Sequence, residues 1–171
     1  MTASEAAVLA PEQEIGGNTK AKPGKYLTFR LDTEEYGLEI LKVRTIIELM
    51  PITPVPQTPH FVRGVINLRG QIIPIIDTRL KFGMSQIEPT DQTCIIVVEV
   101  MGEDETVQVG MMVDSVSEVL DITEQEIEDA PALGDGMDDE YILGMAKTKN
   151  SVKILLNIDK VLTGFNYGAI I

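Results

Sequence analysis

Two aspartates in this chain follow apolar pairs and precede hydroxyl residues. They are Asp77-Thr78 after Ile75-Ile76, and Asp114-Ser115 after Met112-Val113. An apolar pair followed by Asp-Thr or Asp-Ser is how an aspartic protease presents its catalytic carboxylates, two of which must lie close enough to share one proton. Such a loop turns sharply and takes glycine in third place. Here the third positions are Arg79 and Val116, and a β-branched valine fits that turn poorly. The plainer reading is that each aspartate ends a strand and caps the turn after it.

Other candidate chemistry is thinner. Asp129 to Glu140, DAPALGDGMDDE, has Asp, Gly and Glu at positions 1, 6 and 12 of a calcium loop. Pro131 and Leu133 occupy two ligand positions and offer no side-chain oxygen, so an acidic loop is the simpler reading. A zinc site lacks ligands, because Cys94 is the single cysteine and His60 the single histidine. A Ser–His or Cys–His nucleophile would have to use His60, which sits between Pro59 and Phe61 in a loop. Cys94 opens a strand, a place more suited to packing than to chemistry. No glycine-rich phosphate loop is present. The chain carries no catalytic constellation, no metal site and no sign of a cofactor.

Composition narrows the partners. The chain has 27 acidic against 14 basic residues, a formal charge of −13. That opposes wrapping nucleic acid, which needs clustered Lys and Arg, and it disfavours an anionic membrane surface. With 44% hydrophobic residues over 171 positions the chain can bury a real core, in one domain or two joined subdomains. One cysteine allows no internal disulfide and suits a reducing compartment. No apolar run approaches the ~20 residues that span a bilayer, and the N-terminus lacks a secretory signal pattern. A cytoplasmic protein is expected.

The positioning elements are mostly strands. Residues 1–24 have no sustained period and read as a flexible tail. "YLTFRL" alternates with period 2, "DTEE" turns the chain and "EYGLEI" returns it as a hairpin. Val43, Ile46, Ile47 and Met50 then recur at helical spacing, which predicts a short helix stopped by Pro51. That segment is apolar on nearly every side, so part of it is expected to meet a partner. "ITPVPQTP" is too proline-rich for a central strand and reads as an edge or connector. His60 to Asp77 forms a second hairpin with Arg69 at its tip, then a helical turn closed by Gly83. "TCIIVVEV" is a buried strand, "TVQVGMMV" its hairpin partner, and "DSVSEVLDI" mostly extended. Thr123 and Glu126 have capping-box spacing for a short helix over "EQEIED". "YILGMAKTK" and "SVKILLNID" form a last hairpin, and "KVLTG" a closing helical turn.

A faint repeat runs through this pattern. Gly64 opens a hairpin that reaches Asp77, and Gly144 opens one that reaches Asp159, with two extra residues in the second turn. Both end in an apolar strand, an aspartate, a helical turn and glycine, which suggests two similar β-lobes. The absence of alternating βα units excludes a doubly wound sheet, so an all-β barrel class with a few short helices is expected.

"YGLEILKVRTI", "ITPVPQTPHFVRGVINLRGQIIPIIDTRLKFG", "VGMMVDSVSEVLDI" and "ILLNIDKVL" together resemble the bacterial chemotaxis coupling proteins of the CheW family, from about Tyr26 to Leu162. The resemblance implies a CheW-like fold of two intertwined five-stranded β-barrels over residues 25–165, between an N-terminal tail and a short tail at 166–171. It implies a non-enzymatic adaptor that couples transmembrane chemoreceptors to the histidine kinase CheA. Such an adaptor is cytoplasmic, monomeric on its own and recruited to membrane receptor arrays. The receptor-facing set carried over is Val43, Ile46, Ile47, Gly64 and Arg69. The set facing the regulatory domain of the kinase is Thr93, Cys94, Gly110 and Val116. The family often has an acidic residue where this chain has Thr45. If that acid pairs with the hairpin arginine, Glu48 or Glu39 has to substitute here.

Overall fold

The computed structural model describes residues 21–102, 104–129, 139–149, 151–162, 165 and 167. The expectations for residues 1–20 and for most of the acidic loop at 129–140 lie outside these. Ala21, ahead of the expected start at Lys25, is buried.

The opening hairpin pairs β1 (Gly24–Leu31) with β2 (Glu34–Glu39), and a 3-10 turn at Ile40–Lys42 leads to β3 (Val43–Glu48). A second hairpin, β4 (Val62–Leu68) and β5 (Gln71–Asp77), runs into α1 (Thr78–Lys81). The middle of the chain supplies β6 (Cys94–Met101), β7 (Thr106–Val113) and β8 (Ser115–Ile122). The last part supplies β9 (Ile127–Glu128), β10 (Ile142–Lys147), β11 (Val152–Leu156) and α2 (Ile158–Val161). These strands form two sheets, ordered β9-β10-β11-β2-β1-β8 and β3-β6-β7-β5-β4. The all-β class holds, but the strand count is six plus five among the described residues, and neither sheet is a closed barrel. The five-stranded sheet comes nearest to closure where Thr53 bridges Val65 beyond β4. Proline-rich "ITPVPQTP" is thus a connector with a single bridge, since each proline removes a ladder donor.

β6 explains why its sequence is a continuous apolar run. Ile96, Val98 and Val100 face a core shared with Leu27, Phe29 and Leu31 of the other sheet. Ile95 and Val97 face a separate cluster with Ile66, Ile73 and Ile75 inside their own lobe. A third cluster around Tyr26, Ala146 and Leu155 fills the six-stranded lobe. The shared core is the largest, so each sheet buries its outer face against the other.

The segment at Val43–Glu48 is a strand, not the expected helix. A β-bulge supplies the physical reason. Val43 pairs with Val98 but Thr45 pairs with Val97, so one residue is inserted and the alternation slips. Val43 and Ile46 then share a face although three residues apart, with Ile47 on the opposite face, and the apolar spacing mimics 3.6. The short helix expected over "EQEIED" is a 3-10 turn at Glu124–Glu126, with the capping box present, after which the chain is extended again.

The internal repeat is stricter in register than in sequence. Gly64 lies opposite Ile75 at a bulge, and Gly144 lies opposite Leu155 at a bulge. Ile75 pairs in parallel with Gly110, and Leu155 in parallel with Gly37. The helix caps are Asp77 and Asn157, whose side chains accept from Leu80 N and Lys160 N. Asn157, not Asp159, is therefore the counterpart of Asp77, and both repeats span the same 13 residues (77 − 64 and 157 − 144). Each half of the chain gives its first hairpin, β1–β2 or β6–β7, to one sheet and its remaining strands to the other.

Candidate interaction surface

The hairpin tip is built by local chemistry. Arg69 and Gly70 both have positive φ, 54° and 88°, the pattern of a tight hairpin turn. Asn67 Oδ1 accepts from Gly70 N at 2.8 Å and braces it. Arg69 is exposed and makes no ion pair with any described residue, so neither Glu48 nor Glu39 substitutes as its partner. At the hairpin base Gly64 has φ +139°, and a Cβ there would overlap the carbonyl of Thr53. Glycine is what lets the Thr53–Val65 bridge form, with N–O distances of 2.9 Å in both directions.

The edge strand β3 carries the other residues expected to face the receptor. Val43 and Ile47 are half-buried, and Ile46 is 43% exposed. Val43 packs against the shared core and Ile47 against the five-stranded lobe's own cluster. Just before β3, Leu41 is 91% exposed, the largest apolar exposure here. Across the sheet order β3 and β4 are the two edges, so Val43 and Arg69 belong to different borders of one lobe.

Three of the residues expected to face the kinase gather at a separate place. Cys94 is half-buried and receives a hydrogen bond from the Val116 backbone; burial pushes its thiol pKa up, which that bond partly opposes. Thr93 precedes it, with its hydroxyl accepting from Thr90 N at 2.8 Å. Gly110 is not with them on the surface. It is buried in mid-sheet, where a Cβ would meet Ile75 and, at 2.8 Å, Ile95 Cγ2. Its contribution is to packing.

The two aspartates do not form a dyad. Asp77 Oδ2 is held by Arg63 Nη1 at 3.1 Å, and its Oδ1 caps α1. Asp114 Oδ2 is held by Arg79 Nη1 at 2.6 Å. Each carboxylate is paired with its own guanidinium and not with the other carboxylate. They line a shallow open cleft together with Arg79, Ile87, Pro89 and Thr93. Among the described residues no cluster of His, Cys, Asp and Glu could hold a metal, and no helix is long and apolar enough to cross a membrane. The arginine partners, and a Lys42–Asp159 pair at 2.7 Å, carried no signal in the sequence, because their partners are far away along the chain.

Residues 25–165 match the CheW-like domain family. The chain belongs to that family. Its relatives include the chemotaxis protein CheW of Klebsiella aerogenes, 38% identical over 155 residues that cover 91% of this chain and 90% of the relative. The CheW of Thermotoga maritima is 35% identical over 141 residues, covering 82% of this chain and 89% of the relative. Among solved structures, the scaffolding protein TtCheW from Thermoanaerobacter tengcongensis aligns with a TM-score of 0.75 at 35% identity, covering 85% of this chain and 96% of that one. The CheW-like fold thus extends over the paired sheets and the shared core.

Proposed function

We propose that this protein is a chemotaxis adaptor that couples the cytoplasmic tips of membrane chemoreceptors to the regulatory domain of the histidine kinase CheA, and that it catalyses nothing. The observation that carries the reading is the near end-to-end family match, residues 25–165, with CheW proteins. The geometry fits it. Val43 and Ile46 on one edge strand, and Arg69 on a rigid hairpin tip, serve the receptor. Thr93, Cys94 and Val116 lie elsewhere and serve the kinase, with Gly110 packed inside the sheet that Cys94 opens into. The protein works in the cytoplasm, as a monomer until recruited to receptor arrays, where many linked contacts raise effective concentration.

Titration of the purified chain against a kinase regulatory fragment and a receptor-tip fragment tests this, beside a thermal melt. Arg69→Ala should weaken receptor binding and leave the melt unchanged, because a hairpin-tip side chain holds little core. Val43→Asp should weaken it more, because it places an unpaired charge on a half-buried apolar position. Normal receptor binding by both variants would misplace that surface. Peptide or ester turnover by the parent, abolished by Asp77→Asn, would replace the adaptor by a hydrolase.

A further inference from the structure

The chain passes between the two sheets at two crossovers, and each is held by an ion pair to a short helix. At the first, Ile40–Lys42, Lys42 Nζ lies 2.7 Å from Asp159 Oδ2 of α2. At the second, Asp114 Oδ2 lies 2.6 Å from Arg79 Nη1 of α1. Arg79 and Asp159 are equivalent, since each stands two residues past its helix cap, Asp77 or Asn157. The polarity is inverted: the crossover supplies the cation in one pair and the carboxylate in the other. In both, the carboxylate also accepts from a backbone N–H at the end of a hairpin strand or in its turn. Asp159 Oδ1 accepts from Met101 N at 3.2 Å, and Asp114 Oδ2 from Asp32 N at 2.7 Å.

Each crossover leads directly into an edge strand that bears a partner-facing residue. Lys42 precedes Val43, and Asp114 stands two before Val116. In the first, the 3-10 turn has no fully buried residue, and Ile40 packs against the shared core. We infer that the two pairs are positioning clasps, Lys42–Asp159 setting the receptor-facing strand β3 and Arg79–Asp114 setting the kinase-facing strand β8. This deepens the adaptor reading and rests on it for the identity of the partners. The clasps differ in shielding. Side-chain exposure is 34% for both Lys42 and Asp159, but 10% for Arg79 and 21% for Asp114. Salt screens the first pair more than the second, so receptor binding should fall with ionic strength faster than kinase binding.

Hydrogen exchange of the full chain without partners reads the strands separately. Lys42→Met should raise exchange in residues 43–48 by about three- to fivefold, the worth of a half-exposed ion pair, and leave 115–122 unchanged. Asp114→Asn should do the reverse. Receptor-fragment binding should fall about as much in Lys42→Met with kinase binding kept, and Lys42→Asp combined with Asp159→Lys should restore it. Should Asp114→Asn fold poorly, Arg79→Lys keeps the charge and loses the fork, and reads the same strand. Equal exchange changes in both strands, no change in either, or failure of the charge swap would overturn the clasps. If the exchange pattern holds but the parent binds neither fragment, the clasps stand and the adaptor reading falls.

Discussion

Gly64 and Gly110 look alike in the sequence, but the structure separates them by what a methyl group would meet. At Gly64 the obstacle is the Thr53 carbonyl, fixed backbone, and φ is +139°. Strain and overlap add, so Gly64→Ala should lower stability by about 3 kcal/mol. At Gly110 the obstacles are side-chain atoms, the end of Ile75 and the branch methyl of Ile95; the first can shift and the second is stiff, so Gly110→Ala should cost about 2 kcal/mol, less than at Gly64. Urea midpoints of the two variants check the order, and a larger loss at Gly110 would contradict it. Cys94 offers a pH test. Its pKa is raised, chiefly by burial, so the folded state prefers the neutral thiol. The stability this contributes is present below the ordinary thiol pKa and is lost as pH rises through the raised one. Alkylation of the native protein should therefore reach half-maximal rate at a higher pH than alkylation of the urea-unfolded chain. Coincident profiles would refute the burial argument.

At the scale of elements, the two helix caps are equivalent in the repeat but not in energy. Asn157 only accepts from Lys160 N, at 3.3 Å, so Asn157→Ala should cost about 1 kcal/mol. Asp77 caps α1 and also neutralises Arg63, whose side chain is 30% exposed. Asp77→Ala should cost about 2–3 kcal/mol, the buried-pair penalty reduced by that exposure. Denaturant unfolding of both variants checks the order, which would be lost if the arginine were idle. Elements also differ in how legible they are in the sequence. The strands "YLTFRL", "CIIVVEV" and "VKILL" are readable because alternation or a β-branched run reports burial directly. The segment at Val43 is not, because a bulge shifts the alternation by one and apolar residues fall at helical spacing. Arg69 is readable as a tip cation from "LRGQ". The pairs Arg79–Asp114 and Lys42–Asp159 are not, since spacing along a chain says nothing about partners 35 or 117 residues away.

For the whole molecule, the decisive feature is that the sheets are assembled across the halves of the chain. The ladders β3–β6, β5–β7, β2–β11 and β1–β8 each join a strand before residue 82 to one after residue 93. The shared core adds Leu27, Phe29 and Leu31 from the first half to Ile96, Val98 and Met111 from the second. One covalent link joins the halves, the exposed loop through Gln86, Glu88 and Asp91. The lobes therefore cannot unfold singly, because melting either sheet strips strands and core from the other. A protease site placed between Glu88 and Gln92 makes this measurable. Cutting there removes only a chain connection, whose entropic worth varies slowly with loop length, and leaves all four ladders in place. The nicked protein should elute as one species of unchanged size, melt in one transition at a lower temperature, and broaden only on dilution. Separation of the two fragments at micromolar concentration would show that the cross-half ladders do not hold the molecule together, and two separate melting steps would show that the lobes are independent domains.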